Sequence, residues 1–358
     1  MQTALTLGRR GLGQTWPNPA VGAVVVRDGL VVGRGWTQPG GRPHAETEAL
    51  GRAGAAARGA TLYVTLEPCC HHGRTPPCTD AIIAAGIGRV VSAIEDPNPQ
   101  VAGQGHDLLR QASVKVAVGE GADAARRDHA GHIRRVRDGR PHVTLKLAAS
   151  ADGKAGLTGR RPASITSEAS RERAHLMRAM NDAVLTGIGT VLSDDPQLTC
   201  RLPGMAARSP VRVVLDTGLR IPLTSQLLGA ARAAPLWIIA GPDASHDAER
   251  MLRQHGAEVL RAPLAGASLD IAAVLRLLSV RGITRVMVEA GPILASAFLA
   301  AGVVDVAVLF QSAAPLGDDG IAALEGRSLD DLTRSARFIH RTTESIGTDT
   351  MTIYDRAE

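Results

Sequence analysis

The first half of this chain is organised around one stretch, residues 67–78, which reads E-P-C-C-H-H-G-R-T-P-P-C. A second short stretch, H-A-E at residues 44–46, precedes it. Together they supply the imidazole of His44, the thiols of Cys69 and Cys78, and the carboxylate of Glu46. Three protein ligands that leave a fourth position for water are the arrangement of a catalytic zinc rather than a structural one. We therefore predict that His44, Cys69 and Cys78 hold one zinc ion per chain.

The neighbouring patterns place these residues at the ends of secondary structure. The β-prone run 61–66 predicts a strand that ends at Glu67, and an apolar stripe from residue 45 to 57 predicts a helix with His44 and Glu46 in its first turn. A further helix is predicted over 79–85, with Cys78 at its beginning. An H-x-E at a helix start, P-C after a strand and a second cysteine on the next helix are typical of zinc deaminases, in which the glutamate moves protons between water and substrate.

The spacing between the two cysteines departs from the usual P-C-x-x-C, because eight residues separate Cys69 from Cys78. The alternative is a structural zinc site with four protein ligands, for example with His71 as the fourth. That alternative leaves Glu46 without a role.

Length and composition favour two intracellular domains. A chain of 358 residues with 44% apolar residues suits two domains, each with its own core. Since there is no apolar run near 18 residues and no secretory signal, we predict no membrane partner. Three of the four cysteines cluster beside histidines, which indicates metal binding in a reducing compartment, so we predict a cytoplasmic location. The Ala/Arg-rich run 120–140 predicts one helix that leads to a linker, which gives domains 1–141 and 142–358.

The net charge is +5 and the isoelectric point about 9.4, which favours anionic ligands. The arginines are scattered and aromatic residues make up only 2% of the chain. Proteins that bind single-stranded nucleic acid combine charge with aromatic stacking, so we predict small anionic substrates and no nucleic-acid partner. A zinc-stabilised nucleic-acid-binding protein without catalysis is the alternative.

Strands alternate with helices in both halves, which predicts an α/β fold for each. In the second half, repeated strand–glycine–helix joints indicate a nucleotide-binding fold. Two of these joints could hold phosphate: G-I-G-T at 187–190 and E-A-G-P at 289–292. Each could equally be a tight turn without a ligand.

The first half resembles the deaminase half of the RibD family of bifunctional riboflavin-biosynthesis enzymes. The resemblance rests on residues 67–78, on P-N-P-A-V-G at 17–22 and on D-P-N-P-Q-V-A-G-Q-G at 96–105. It implies a three-layer, cytidine-deaminase-like domain that removes the 2-amino group of 2,5-diamino-6-(5-phosphoribosylamino)pyrimidin-4-one. It also implies a catalytic Glu46 and substrate contacts from Asn18, His71, Arg74 and Asn98. For the two asparagines the alternative is turn formation beside proline.

The second half resembles the reductase half of the same family, through residues 145–154, 190–201 and 288–292. This implies a dihydrofolate-reductase-like α/β domain that uses NADPH to reduce the ribosyl group of the deaminated product to a ribityl chain. Lys146 and Asp152 would be polar groups near the hydride path, with Lys146 as a catalytic residue. The residues implied to line NADPH are Ala148, Ser164, Thr190, Asp194, Thr217, Gly291, Pro292, Ile293, Leu294, Ala295, Ser296 and Ala297. The residues implied to face substrate are Pro162, Arg178, Leu198, Arg201 and Glu289, with both arginines on its phosphate.

Two positions depart from the family pattern. Many relatives have tryptophan where Ser164 stands and serine where Pro162 stands, which weakens both predicted contacts. A deaminase whose second half is only a scaffold is therefore the alternative function. We also expect a homo-oligomer, a dimer or a tetramer.

Overall fold

The computed structural model describes residues 1–161 and 163–357, and the chain forms two compact units, Met1–Pro141 and His142–Glu358. Within the described residues, no helix is both long and apolar enough to cross a membrane.

The first unit combines six helices with one five-stranded sheet. The helices are α1 (Gln2–Gly8), α2 (Ala45–Ala53), α3 (Cys78–Ala84), α4 (Gln104–Gln111), α5 (Ala122–Asp128) and α6 (Ala130–Asp138). The strands are β1 (Gly22–Arg27), β2 (Leu30–Trp36), β3 (Thr61–Val64), β4 (Arg89–Ser92) and β5 (Lys115–Val118).

The sheet of the first unit has the order β2-β1-β3-β4-β5. The β1–β2 and β1–β3 pairs are antiparallel, whereas β3, β4 and β5 run parallel. Alternate residues of β1 pack into different hydrophobic clusters. Ala23 and Val25 pack with α2 and α3, while Val24 packs with Ala4 and Leu7 of α1. Helices therefore cover both faces of the sheet, which gives the three-layer α/β fold expected from the sequence.

The run 120–140 forms two helices, so the prediction of one continuous helix was wrong. The break falls at His129, which lies between α5 and α6 with φ −94° and ψ 8°. The His129 side chain is buried, and its Nε2 lies 3.0 Å from the Thr65 hydroxyl. The sequence pattern did not reveal this inward contact, which accompanies the break.

The second unit contains thirteen strands and seven helices among the described residues. The strands are β6 (His142–Ala149), β7 (Lys154–Leu157), β8 (Ala183–Gly187), β9 (Val211–Leu215), β10 (Leu236–Ala240), β11 (Glu258–Arg261), β12 (Leu264–Ala265), β13 (Ser268–Leu269), β14 (Arg285–Glu289), β15 (Val306–Gln311), β16 (Gly320–Ala322), β17 (Phe338–Ile346) and β18 (Asp349–Arg356). The helices are α7 (Glu168–Ala179), α8 (Ile188–Asp194), α9 (Gln226–Gly229), α10 (His246–Gln254), α11 (Ile271–Val280), α12 (Pro292–Ala300) and α13 (Asp330–Thr333).

Nine of these strands form one sheet with the order β11-β10-β9-β8-β14-β6-β15-β18-β17. The first seven strands in this order, from β11 through β10, β9, β8, β14 and β6 to β15, are parallel. Strands β18 and β17 add an antiparallel edge. The central strands β8, β9 and β10 are almost completely buried, as expected of a parallel sheet covered on both faces. The predicted α/β class of this half is confirmed.

Several elements of the second unit were not predicted individually, and α8 and β17 are two of them. Helix α8 begins at Ile188, directly after β8, inside the G-I-G-T joint. Strand β17 is exposed along most of its length and rich in polar residues, so it lacks the apolar run that marks a strand.

A buried arginine connects strand β9 to helix α9 and the turn after it. Arg212 of β9 is completely buried, and its guanidinium donates to the carbonyls of Leu227 (3.1 Å), Ala230 (3.0 Å) and Ala234. These carbonyls belong to α9 and the turn after it, where a helix end leaves acceptors without intrahelical partners. Burial lowers the pKa of Arg212 to about 10, so the group stays protonated at neutral pH and holds the turn.

We expect Arg212→Met to destabilise the second unit by about 2–4 kcal/mol, because three carbonyls lose their buried donor. Thermal unfolding followed by calorimetry measures the loss. Arg232→Met is the matched control, since Arg232 is exposed in the same region. Equal unfolding temperatures for the two variants would contradict this role.

Candidate functional site

The predicted metal ligands of the first unit lie together. The ligand atoms of His44, Cys69 and Cys78 are within 4.8 Å of one another. His44 Nδ1 lies 3.3 Å from Cys78 Sγ and 3.6 Å from Cys69 Sγ. His44 is the N-cap of α2, Cys69 follows β3, and Cys78 is the first residue of α3. Three element ends thus meet at one point.

The environment of the two thiols favours one thiolate before any metal arrives. The backbone N–H of Cys78 donates to Cys69 Sγ at 3.3 Å, at the N-terminus of α3. Hydrogen bonding from Cys78 outweighs burial and, with the His44 ring, lowers the pKa of Cys69 to about 4. The hydrogen bond between the Cys78 and Cys69 side chains, together with burial, raises the pKa of Cys78. Thiolates are the form in which cysteine binds metal.

Glu46 lies in the first turn of α2 and is only 4% exposed. Burial, followed by the charge of Cys69, raises the pKa of Glu46 to about 7. A carboxyl group of this kind can both accept and release a proton near neutral pH. It does not serve as one of the three clustered ligands, which leaves it available to act on water.

The second ring nitrogen of His44 faces two side chains. Arg42 Nη1 lies 3.3 Å from His44 Nε2, and Asn18 Nδ2 lies 3.5 Å from it. Asn18 is held in place because its amide also donates to the Gly41 carbonyl at 2.9 Å. The sequence reasoning missed Arg42, although its position two residues before His44 was a signal that could have been used.

The other predicted substrate contacts of this unit lie on two loops. His71 and Arg74 are exposed on the loop between the cysteines, which Arg42 fastens by donating to the Thr75 hydroxyl at 2.7 Å. Asn98 is half-buried, and its side-chain oxygen accepts a hydrogen bond from the Gln100 N–H at 3.1 Å. The turn-forming role weighed for Asn98 is therefore present, and its amide nitrogen is still available for a ligand.

The donor set fits zinc. Zinc prefers nitrogen and sulfur ligands, and one imidazole nitrogen and two sulfurs lie together near the N-termini of α2 and α3. The buried carboxylate beside them matches a site that keeps one position for water.

The predicted residues of the second unit converge on one cavity of about 890 Å³. It lies where β9, β8, β14 and β6, which are neighbours in the sheet, reach their carboxyl ends. The predicted residues that line it are Lys146, Ala148, Ser164, Arg178, Thr190, Asp194, Leu198, Arg201, Thr217, Glu289, Gly291, Pro292, Ile293, Leu294 and Ala297. Ligands of open parallel sheets bind at this edge.

Three predicted residues among those described stand apart from that cavity. Ala295 and Ser296 are buried on the inner side of α12 and do not line it. Asp152 also lies outside its lining: its carboxylate accepts from the Ser150 hydroxyl and from the N–H groups of Leu316 and Gly317. Pro162 lies outside the described residues.

An ion-pair network forms one end of the cavity. Arg178 donates to both oxygens of Glu289, at 2.8 Å each, and to the Thr199 carbonyl at 3.0 Å. Lys146 Nζ lies 3.7 Å from Glu289 Oε1. Burial raises the pKa of Glu289, but the charges of Arg178 and Lys146 outweigh it and hold the pKa at about 2. Glu289 is therefore ionised and fixes both cations.

The two arginines predicted to bind phosphate differ in their surroundings. Arg178 is 9% exposed and occupied by Glu289, whereas Arg201 is exposed at the same end of the cavity. Arg178 would have to leave Glu289 to bind a ligand, whereas Arg201 has no such ion pair among the described residues.

The sequence reasoning missed Arg220 at another part of the cavity. Its side chain is 65% exposed, and its Nε lies 4.0 Å from Asp216 Oδ1. Asp216 follows β9 and accepts from the Ile221 N–H at 2.8 Å, which fixes the turn that carries Thr217 and Arg220. The position of Arg220 in the turn that follows β9 was the signal available in the sequence.

The cavity fits a dinucleotide. Its volume is in the range of sites that enclose sizeable ligands. Gly187 and Gly291, at the N-termini of α8 and α12, bring backbone close to the cavity, and Thr190 Oγ1 accepts from the Gly291 N–H at 3.3 Å.

Two family models match different parts of the chain. Residues 141–352 match the family model of the RibD C-terminal domain, and residues 1–94 match the cytidine and deoxycytidylate deaminase zinc-binding region. The riboflavin biosynthesis protein RibD of Escherichia coli K12 is 40% identical, over 98% of this chain and 96% of its own. That of Aquifex aeolicus VF5 is 42% identical, over 99% and 97%.

Solved structures are similar over the whole length. Acinetobacter baumannii RibD, form 2, has a TM-score of 0.87 at 35% identity, covering 99% of this chain and 97% of its own. A diaminohydroxyphosphoribosylaminopyrimidine deaminase/5-amino-6-(5-phosphoribosylamino)uracil reductase from Thermotoga maritima has a TM-score of 0.86 at 35% identity, covering 100% and 97%. On this full-length similarity, the chain belongs to the RibD family of riboflavin biosynthesis proteins.

Proposed function

We propose that the chain carries out two consecutive steps of riboflavin biosynthesis. The first unit deaminates 2,5-diamino-6-(5-phosphoribosylamino)pyrimidin-4-one with zinc, and the second reduces 5-amino-6-(5-phosphoribosylamino)uracil with NADPH. The observation that carries this proposal is the meeting of His44, Cys69 and Cys78 beside the buried carboxylate of Glu46. The cavity at the carboxyl edge of the second sheet supports the second step.

In the deamination, His44, Cys69 and Cys78 would hold the metal. Zinc, when bound, makes water a stronger acid and so a better nucleophile near neutral pH. Glu46 takes one proton of that water and delivers it to the ring nitrogen, and it then carries the remaining hydroxyl proton to the departing amino group. Oxygen bonds to the ring carbon, the bond from that carbon to the 2-amino nitrogen breaks, and ammonia leaves.

The loops around the site would hold the substrate. Asn18 and Asn98 contact the pyrimidine, while His71 and Arg74 meet the ribose phosphate. Asn18 supports this role because its amide is fixed beside the His44 ring.

In the reduction, NADPH supplies a hydride to C1′ of the ribosyl group. The bond between C1′ and the ring oxygen breaks, so that oxygen needs a proton to become the hydroxyl of the ribityl chain. Lys146 lines the cavity as an ammonium held by Glu289 and is the proton donor that we assign. Arg201 meets the substrate phosphate, and the turn of Thr217 with the starts of α8 and α12 holds the cofactor.

The enzyme acts on small molecules. A cytoplasmic location and assembly into a dimer or tetramer stay predictions.

We expect Glu46→Gln to lower the rate of ammonia release by about 10²–10⁴-fold, because the proton carrier is lost. Ammonia release and NADPH absorbance are followed together on the diaminopyrimidine substrate. The variant should leave the bound zinc and the oxidation of NADPH with 5-amino-6-(5-phosphoribosylamino)uracil unchanged. Glu48→Gln, on the same helix and paired with Arg52, is the matched control. Undiminished ammonia release by Glu46→Gln would refute the mechanism. A wild-type protein that never oxidises NADPH with either substrate would favour the alternative in which the second unit is only a scaffold.

We expect acid to remove the stabilisation that Glu289 gives the second unit. Its pKa is about 2 in the fold against an ordinary 4.5, so its contribution is complete above about pH 4.5 and is lost as the pH falls towards 2. The difference in unfolding temperature between the wild type and Glu289→Gln should therefore be largest at pH 5–7 and narrow by pH 3, as differential scanning fluorimetry can measure. Glu344→Gln, which removes an exposed pair with Arg173, is the control. A difference that stays constant from pH 7 to 3 contradicts the assignment.

We expect Arg220→Ala to weaken NADPH binding about tenfold while leaving NADH binding unchanged, because a guanidinium at this turn can pair with the 2′-phosphate. In nucleotide-binding folds, the residues that follow a strand end read the ribose 2′ position. Titration of intrinsic or nucleotide fluorescence gives both dissociation constants, with Arg232→Ala as the control. Equal weakening for both nucleotides would show that Arg220 does not distinguish them.

A further inference from the structure

We propose that Glu67 is a positioning residue of the deamination site, whose carboxylate holds the segment Asp96–His106 against the zinc-binding segment Glu67–Cys70. The proposal rests on the proposed function, because the segment carries Asn98, the residue that we assign to the pyrimidine. Glu67 itself need not touch substrate.

The contacts of Glu67 are unusual for a side chain so deeply buried. Its side chain has 0% exposure, yet lysine and arginine are absent from its described hydrogen-bond partners. Glu67 Oε2 accepts from the N–H of Asp96 (3.1 Å) and of Gly103 (2.9 Å), and Oε1 accepts from the N–H of His106 (3.2 Å). Three backbone donors from one segment thus replace the water that a carboxylate would otherwise keep.

A second contact between the same segments does not involve the carboxylate. A Cβ on Gly105 would lie 2.2 Å from the Pro68 carbonyl oxygen, so the two backbones touch directly. On the other side, Cys70 Sγ lies 3.7 Å from the Gln100 carbonyl oxygen. The segment is therefore packed against the residues on both sides of Cys69, a predicted zinc ligand.

The position of Asn98 follows from these anchors. Glu67 holds Asp96 on one side of Asn98 and Gly103 on the other. Asp96 also accepts from the Asn98 N–H at 2.8 Å and is hydrogen-bonded to His132 Nε2 at 2.9 Å. The distance from Asn98 to the metal ligands is thus set by a residue two positions before Cys69. A strand end that supplies a metal ligand also fixes the loop that recognises the base.

A second metal site is the alternative use of this cluster. Glu67, Glu95 and His106 have ligand atoms within 4.8 Å of one another. Both Glu67 oxygens already accept backbone N–H groups, however, which is the arrangement of a loop anchor. We therefore expect one zinc per chain, and none at this cluster.

The test is Glu67→Gln in the full chain. An amide has one acceptor oxygen, so its NH₂ group must face at least one of the three N–H donors. We expect KM for the diaminopyrimidine to rise about tenfold, as the loss of a charge-assisted hydrogen bond would give, with a smaller fall in kcat. The amides of Gly103 and His106 should exchange with deuterium faster. Zinc content and NADPH oxidation with 5-amino-6-(5-phosphoribosylamino)uracil should stay as in the wild type. Glu95→Gln, an exposed neighbour, is the control.

A double variant separates positioning from a general loss of structure. If Glu67 acts through Asn98, adding Glu67→Gln to Asn98→Ala should raise KM little beyond Asn98→Ala alone. Fully additive effects, an unchanged KM in Glu67→Gln, or two zinc ions per wild-type chain would each overturn the proposal.

Amide exchange keeps the proposal testable if Glu67→Gln does not fold. In the wild type, the amides of Asp96, Gly103 and His106 should exchange slowly, and rapid exchange at all three would overturn it. A wild type that releases no ammonia, yet protects these amides, would refute the proposed function while leaving the anchoring by Glu67 in place.

Discussion

The stabilisation of one thiolate at the end of β3 is the interaction on which the first unit's site depends. The Cys78 N–H donates to Cys69 Sγ at 3.3 Å, and the Thr79 N–H donates to the Cys69 carbonyl at 3.2 Å. These two bonds attach the start of α3 to the end of β3, and because Cys78 is the first residue of α3, they also bring the second sulfur into place. His44 then completes the cluster from the start of α2. The metal site thus combines two helix starts with the segment that follows β3, which explains how ligands far apart in sequence can be held within 4.8 Å.

The second unit applies the same principle to a larger ligand. Lys146 lies in β6 and Glu289 ends β14, while Thr190 lies in the helix after β8 and Thr217 follows β9. These four strands are consecutive in the sheet, so residues from four regions of the sequence face one cavity at its carboxyl edge. The ionised Glu289 then separates two kinds of cation: it occupies buried Arg178 and orients Lys146, whereas Arg201 and Arg220 stay exposed for anionic groups of ligands. The cations of the cavity are in this way divided between fixed ion pairs and exposed side chains.

The sequence allowed prediction where a functional residue coincides with a boundary signal. His44, Cys69 and Cys78 stand beside a helix start or a strand end, and such boundaries have recognisable patterns, so their meeting could be expected. The predicted segment 291–297 was too inclusive, because helical periodicity turns Ala295 and Ser296 away from the cavity that Ile293, Leu294 and Ala297 line. The three carbonyls bound by Arg212 and the three N–H groups bound by Glu67 could not be predicted. These backbone groups belong to segments that come close to the two side chains only in the folded chain. No local sequence pattern indicates which backbone groups a buried side chain will bind.

The loop between the cysteines shows why a deamination site combines rigid and adaptable recognition. Asn18 and Asn98 are half-buried and each is fixed by a hydrogen bond to backbone, whereas His71 and Arg74 are exposed on a loop that Arg42 fastens through Thr75. The attacked ring carbon must be placed to within a fraction of an ångström, since small errors of alignment cost rate steeply. The groups that contact the ring therefore need to be preorganised. The phosphate lies at the far end of the ribose from that carbon and has no bond to change, so a mobile guanidinium can attract it over a distance and adjust to it. With the substrate contacts that we propose, the order of side-chain fixation in this site follows the distance of each substrate group from the reacting atom.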